Sequence, residues 1–295
     1  MGGPVVLTPA PSRVVILGAG GHVGGALQAR LAAAGVDVVG HSSQTLDLTR
    51  REALGALDSL AGPGTALVFA AALTPDHGQT LDTLGANLAM AINVARWLET
   101  RRVGGCVYVS SDSVYGFDVN PVTEATPVAP AGYYALAKLA GERILEPVAA
   151  AHGVPLVSVR LPAVYGPGDR HGAYGPNAFA RSLARDRTVR LFGAGEEERD
   201  HLFVADAAGV IAALMRAGAT GVFNVASGES VPFAKIVELI RGLVPYDVTV
   251  TSAPRKGPVT HRRYDTTKLR AVIGDYRFTP LEEGLRATLA AFGAL

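Results

Sequence analysis

Tyr134 and Lys138 stand four residues apart in Tyr133-Tyr-Ala-Leu-Ala-Lys-Leu-Ala-Gly-Glu-Arg143. Ala, Leu, Lys and Glu dominate this stretch and no proline follows until Pro147, so it reads as the opening of a helix. Four residues make about one helical turn, which puts phenol and ammonium on one face. A phenol keeps its proton until about pH 10, and a neighbouring ammonium favours the phenolate, bringing it toward the range of an acid/base catalyst. The plain alternative is a chance pair on a solvated face. Upstream, the apolar run Val103 to Val109 delivers Ser110-Ser-Asp-Ser-Val-Tyr-Gly116. Its serines are either turn chemistry or ligand-facing hydroxyls, and Asp112 either orients a substrate or caps a turn.

Such a pair needs a scaffold, and the N-terminal half supplies the pattern of one. Arg13-Val-Val-Ile-Leu17 is a buried strand, followed at once by Gly18-Ala-Gly-Gly-His-Val-Gly24 and a helix from about Val23 to Ala34. Strand, glycine turn and helix make up the dinucleotide-binding context. Gly18 permits the tight turn, Gly21 lets backbone reach a pyrophosphate, and Gly24 lets the helix pack on the strand. The helix N-terminus, around Gly20, His22 and Val23, then faces the anion. Val36 to Gly40 is the second strand, and His41-Ser42-Ser43 follows it where an NAD site usually has an acid for the ribose 2′-hydroxyl. Hydroxyls and an imidazole accept a 2′-phosphate more readily than a carboxylate does, which tilts the expected cofactor from NAD(H) toward NADP(H).

Ala66 to Ala70 is a third buried strand, and Ala70, Ala71 and Ala72 at its end are small enough for a flat ligand to lie against backbone. A helix is expected from Arg50 to about Leu60 and a long one over 81–100, carrying Asn87 and Asn93. Leu156 to Arg160 is a further strand, running through Leu161 into Pro162-Ala-Val-Tyr-Gly-Pro-Gly168. Ligands of parallel α/β sheets bind outside the carboxyl ends of the strands, where the Ser111 hydroxyl would lie. The regular alternation of strand and helix points to a doubly wound parallel sheet. Beyond 166 the pattern loosens, with helices expected near 177–185, 204–216, 232–243 and 281–292. Short strands are expected at 189–192, 222–225 and 248–250.

Composition narrows the class. In 295 residues, 48% are hydrophobic and 18% charged, which describes a globular chain rather than a disordered one. Net charge is +1 with no Lys/Arg block, which argues against a nucleic-acid or membrane-surface role. A single cysteine, Cys106, excludes an internal disulfide and fits a reducing compartment. No apolar run reaches a membrane span, and Met1 to Ser12 lacks the features of a signal peptide, so the expectation is a cytoplasmic protein. The seven histidines are scattered, with no His-x-x-x-His or cysteine cluster, so no metal site is expected. His171 is read as exposed or touching substrate, Tyr115 and Tyr165 as packing residues, and Glu196 to Glu198 as a solvated loop.

Taken together these motifs resemble the extended short-chain dehydrogenase/reductases, the NAD-dependent epimerase/dehydratase family acting on nucleotide sugars. The resemblance runs from Arg13 almost to the C-terminus, through Gly18 to Gly24, Asp47, Ser110-Ser111, Tyr134 and Lys138, Arg160 to Gly168, Arg199-Asp200 and Asp265 to Lys268. It implies a Rossmann-type sheet with a smaller C-terminal substrate lobe. Residues 13–165 would form the dinucleotide domain, with 200–226 returning to it, and 166–199 and 227–295 the lobe. Ser111, Tyr134 and Lys138 would be the catalytic trio. Asp47 with Leu48 would approach the adenine, while Asn87 and Leu161 would support the cofactor side. Asp112 and Ser113 would face the substrate, and Asn177, Arg199 and Arg255 would hold its diphosphate, a task that suits the planar fork of arginine. The helices led by Leu81 and Tyr134 pair across subunits in relatives, which implies a homodimer.

Departures from the family pattern bear on the reaction. Epimerases usually carry an acid where Ser42 stands, and a longer loop and helix before the residue matching Asp47. The short connection here resembles dTDP-dehydrorhamnose reductases and GDP-fucose synthases, which favour NADPH. GDP-fucose synthases, however, have a catalytic histidine at the position of Asn177 and a cysteine near that of Asp112. Sugar 4,6-dehydratases carry Asp-Glu where this chain has Asp112-Ser113, so dehydration is disfavoured. Epimerisation, reduction of a keto sugar and a non-catalytic NADP(H)-binding sensor stay open.

Overall fold

Alternate residues of the first strand serve opposite sides of a sheet: Val14 and Ile16 pack into one apolar cluster, Val15 and Leu17 into another. Side chains alternate with a period of two along a strand, so a run apolar at every position needs cover on both faces. The computed structural model describes residues 11–117, 119–170, 175–255 and 257–295; His171 and the first ten residues lie outside the described residues. In chain order the strands are β1 (Arg13–Leu17), β2 (Asp37–His41), β3 (Gly62–Phe69), β4 (Val103–Ser111), β5 (Leu156–Leu161), β6 (Ala163–Tyr165), β7 (Thr188–Phe192), β8 (Glu198–Phe203), β9 (Gly221–Asn224), β10 (Ser230–Pro232) and β11 (Thr249–Ala253). The helices are α1 (His22–Ala33), α2 (Leu81–Thr100), α3 (Tyr133–Ala151), α4 (Gly175–Asp186), α5 (Val204–Arg216), α6 (Phe233–Leu243), α7 (Thr267–Ile273) and α8 (Leu281–Phe292).

Six strands form a parallel sheet in the order β2-β1-β3-β4-β5-β9. Leu27 of α1 and Ile211 and Leu214 of α5 cover one face, and Val94, Trp97 and Leu98 of α2 with Leu145 of α3 cover the other. Each fully buried Leu, Ile or Val contributes about 1.5–3 kcal/mol of transfer free energy, which fixes the register of the layers. β1 pairs with β2 on one side and β3 on the other, so the chain departs from β1 in both directions. That reversal opens a crevice at the carboxyl ends of β1 and β3. The molecule is thus a doubly wound α/β fold.

The second half builds a lobe with its own apolar cluster, including Phe179, Leu183, Ile236, Ile240, Leu285 and Leu289. Three features differ from the sequence pattern. Arg51–Leu60 is a tight 3-10 helix rather than an α-helix, with Leu54 and Leu57 buried. Leucines spaced by three eclipse on a 3-10 helix and present one narrow apolar edge. Glu198–Phe203, a charged stretch, forms β8 between β10 and β6 in a three-stranded sheet, where only part of each face is apolar. Helix α7 was not apparent from the sequence either.

Candidate active site

Helix α3 brings the phenol and the amine together. Its start at Tyr133 leaves Tyr134 in the first turn, half-buried, and Lys138 one turn on at 4% exposure. Lys138 Nζ donates to the Val109 carbonyl at 2.7 Å and lies 5.7 Å from the centre of the Tyr134 ring. α3 reaches β4 this closely because of Gly141: a Cβ there would stand 2.1 Å from the Tyr108 hydroxyl. Ser111 ends β4, and its hydroxyl lies within hydrogen-bonding reach of both Tyr134 and the Asp112 carboxylate. Its Oγ also accepts from the Ser113 N–H at 3.2 Å, which turns the chain away from the sheet.

Electrostatics differ from the sequence expectation at one point. The protein's own groups raise the Tyr134 phenol above its usual value, first through burial and then through the negative charge of Asp112, while Ser111 opposes the rise. Lys138 moves the other way: burial draws it down to about 8, with Glu142 opposing. With Lys138 one turn away, Tyr134 is still raised, by burial first and by the negative charge of Asp112 next. Asp112 is also raised by burial, its Oδ2 accepts from Tyr264 at 2.5 Å, and the Arg262 guanidinium stands 3.9 Å away.

The glycine turn has the tightness its spacing suggests. Gly18 has φ +96°, and a Cβ there would meet Ala71 N at 2.5 Å; a Cβ on Gly24 would stand 2.2 Å from the Gly18 carbonyl. Gly20 faces Ser42, whose Cβ would lie 3.1 Å from an added methyl. Gly21 N donates back to Gly18 O, His22 Nε2 lies 3.2 Å from Pro167 O, and Val23 packs against the α1 side of the core.

Beyond the turn a cavity of about 140 Å³ is lined by Gly18, His41, Ser42, Ser43, Asp47, Leu48 and Ala71, joined by Thr49, Leu73 and Met90. Apolar walls, a carboxylate and serine hydroxyls suit a purine and its ribose. His41 Nε2 is buried without a partner, and burial lowers the imidazole, so His41 can offer a hydrogen bond but not a positive charge. Asp47 Oδ1 is held by the N–H and hydroxyl of Thr49, which lower the carboxyl. The residues present fit a dinucleotide.

Support for this cavity comes from side chains that sequence reasoning underused. Asn93 Nδ2 donates to the carbonyls of Leu48 and Thr49 at 2.9 and 3.0 Å, fixing the wall across from Gly18. Asn87 exchanges hydrogen bonds with both the N–H and the carbonyl of Leu73, pinning the segment after Ala70, Ala71 and Ala72. Leu161 is buried at the end of β5. An asparagine on an apolar helix face was the available signal for Asn93, without anything to say what it would grip.

The residues expected at the substrate diphosphate are engaged by the protein. Asn177 is 1% exposed, accepts from Gly166 N and donates to Asp169. Arg199 donates to the carbonyls of Glu198 and Thr260 and to the Thr260 hydroxyl, and its guanidinium stacks over Phe117. Arg255 forms ion pairs with Glu196 and Glu197, and Glu198 pairs with Arg263 and His261. Glu196 to Glu198 are therefore paired residues rather than a freely solvated loop. Ser113 Oγ is buried without a partner beside Asp112. Tyr115 and Tyr165 are each 2% exposed, as packing residues should be. Among the described residues no group of three His, Cys, Asp or Glu is placed to hold a metal, and no helix is long and apolar enough to cross a membrane.

Residues 14–226 match the model of the NAD dependent epimerase/dehydratase family. The chain is 30% identical to a UDP-glucose 4-epimerase of Mycolicibacterium smegmatis, over 95% of this chain and 98% of that one. It is 27% identical to a putative GDP-L-fucose synthase of Oryza sativa, over 93% and 85%. Its structure superposes on RMD from Pseudomonas aeruginosa, solved as a complex with NADPH, with a TM-score of 0.85 and 25% identity over 95% and 98% of the two chains.

Proposed function

This chain belongs to the NAD dependent epimerase/dehydratase family, and from that premise we propose that it moves hydride at a carbinol or keto carbon of a nucleotide-linked sugar. Convergence of Tyr134, Ser111 and Lys138 at the carboxyl end of β4 carries the reading, on the sheet edge that also holds the glycine turn. Gly18 to Gly24 and the N-terminus of α1 would hold the pyrophosphate, and the cavity between Ser42 and Met90 would hold the adenosine. The nicotinamide, when bound, supplies the hydride acceptor or donor and a positive charge in its oxidised form.

Tyr134 moves the proton at the sugar oxygen. In the resting protein its phenol keeps that proton, which suits a general acid for reduction; as a base it needs added positive charge nearby. Ser111 donates to the same oxygen and holds it against Tyr134. Lys138, drawn down to about 8 by burial and with Nζ 5.7 Å from the centre of the Tyr134 ring, would hold the ribose hydroxyls of the nucleotide. Arg199 and Arg255 take the substrate diphosphate by exchanging protein partners for phosphate oxygens.

Two observations favour NADP(H) as the nucleotide. Ser42, not a carboxylate, stands against Gly20, and the buried His41 Nε2 has a hydrogen bond to give. The chain acts as a homodimer through α2 and α3, where Leu81, Ile92, Tyr133 and Leu136 are exposed. Titration with NADP(H) and NAD(H), mass spectrometry of any nucleotide retained, and NMR of products from UDP-, GDP- and dTDP-hexoses test this reading. An epimerase retains its nucleotide and interconverts two sugars. A ketoreductase exchanges nucleotide readily and consumes NADPH one for one. Preference for NAD(H) contradicts the role given to Ser42, and binding of neither nucleotide contradicts the whole proposal.

A further inference from the structure

Lys138 keeps its amine in a slot bounded by two elements. Nζ donates to Val109 O of β4 at 2.7 Å, and the rings of Tyr108 on β4 and Tyr134 on α3 are centred 5.3 and 5.7 Å from it. One turn further along α3, on the same face, is Glu142, 3% exposed. Its carboxylate is gripped from two strands: Arg160 of β5 donates through Nε at 2.9 Å and Nη2 at 2.6 Å, and Ser110 of β4 donates at 2.5 Å. Arg160 also donates to the Tyr115 hydroxyl, which donates in turn to Asn224 of β9. That carboxylate is ion-paired with Arg160 and bonded to Ser110, while Lys138, one turn back on the same helix face, has its amine on the neighbouring residue of β4. Ser110 adjoins Ser111 of the candidate trio.

An Arg–Glu pair alone would neutralise itself and needs neither Ser110 nor a place on the lysine's own helix face. We propose that Glu142 is a positioning residue for the proton-transfer pair: oriented by Arg160 and Ser110, its carboxylate is the buried counter-charge that keeps Lys138 an ammonium aimed at the cofactor side of α3. The inference rests on the reading of Tyr134 and Lys138 given above, but its test does not depend on turnover. Burial pulls the amine toward its neutral form and Glu142 alone opposes that pull. Tyr108 and Tyr134 face the slot as phenols, and Arg160 stands behind the carboxylate. Asp112 and Asp76 act on Tyr134.

The chain has four lysines, at 138, 235, 256 and 268, so NMR of protein labelled with ¹³C at lysine Cε resolves each one. Lys138→Met identifies the signal of interest. In the unaltered protein the Lys138 signal should titrate near pH 8. In Glu142→Gln the midpoint should fall by about one pH unit or more, as expected on losing an opposite charge at this range. Glu142→Asp, which keeps the carboxylate, should restore most of the difference. A folded Glu142→Gln protein whose Lys138 midpoint has not moved overturns the proposal and leaves Glu142 a structural partner of Arg160. Should that variant not fold, Glu142→Leu with Arg160→Met removes both charges and leaves no orphan ion. Removing the Arg160 cation as well offsets part of the effect, so a smaller fall is expected there, and an unmoved midpoint would show that Lys138 senses no net charge from the pair and would again overturn the idea. Product formation by the unaltered enzyme tests the parent reading separately.

Discussion

At the scale of single residues, the site combines two side chains that burial pushes in opposite directions. Tyr134 is driven up and Lys138 down, each toward its neutral form. For Lys138 this has a consequence for stability. Its folded pKa, about 8, lies below the usual lysine value of 10.5, so between those values the unfolded chain holds more protons and stability rises with pH. Below about 8 the full cost of enclosing a charged amine is present. Lys138→Met removes that cost, and the variant should be at least as stable as the parent at pH 7, with a melting temperature higher by about 2–4 °C for each kcal/mol relieved. The difference should close as pH rises toward 10.5. Melting curves over this range check it; a variant less stable than the parent at pH 7 would show that the bond to Val109 outweighs desolvation. Activity is expected to be lost in the same variant, a trade of function against stability.

At the scale of elements, sequence and structure agree where a pattern is local. Arg13–Leu17 with Gly18, Gly21 and Gly24, and the helix from Tyr133, declare themselves through apolar runs, glycine spacing and helix formers. The short strands β6, β8 and β10 do not, because their side chains are chosen by contacts with other segments rather than by an alternation of their own. Partners of Arg199, Arg255 and Asn177 were hidden for the same reason: Thr260 is 61 residues from Arg199, and Glu196 is 59 from Arg255. The tie between Asn93 and residues 48–49 is long-range as well, and it fixes the cavity wall. Asn93→Ala would leave two carbonyls short of a donor, at about 1–3 kcal/mol. A loss of stability of that order, with NADPH binding weakened further than unfolding accounts for, is expected from urea titration and calorimetry. Unchanged NADPH affinity would mean that the wall at Leu48 and Thr49 does not touch the nucleotide.

At the scale of the whole molecule, a doubly wound sheet carries the glycine turn and the Tyr134–Lys138 pair at the carboxyl ends of its strands, and the second half adds an apolar cluster of its own. On the opposite side of α2 and α3, apolar side chains face outward: Leu81 is 68% exposed and Leu136 43%. Leu136→Glu should turn a dimer into a monomer in light scattering; a parent protein already monomeric would exclude the proposed pairing of α2 and α3. The most direct test of the chemistry is a comparison of the parent with Tyr134→Phe, using a panel of UDP-, GDP- and dTDP-hexoses and NADPH deuterated at C4 or NADP. Removal of one hydroxyl leaves the cavity and the glycine turn intact, so nucleotide affinity should hold. Turnover of a sugar converted by the parent should fall by a factor on the order of 10²–10⁴, as for loss of a general acid/base. Conversion of that sugar by Tyr134→Phe at the parent's rate would contradict the assignment of the phenol as the group that moves the proton.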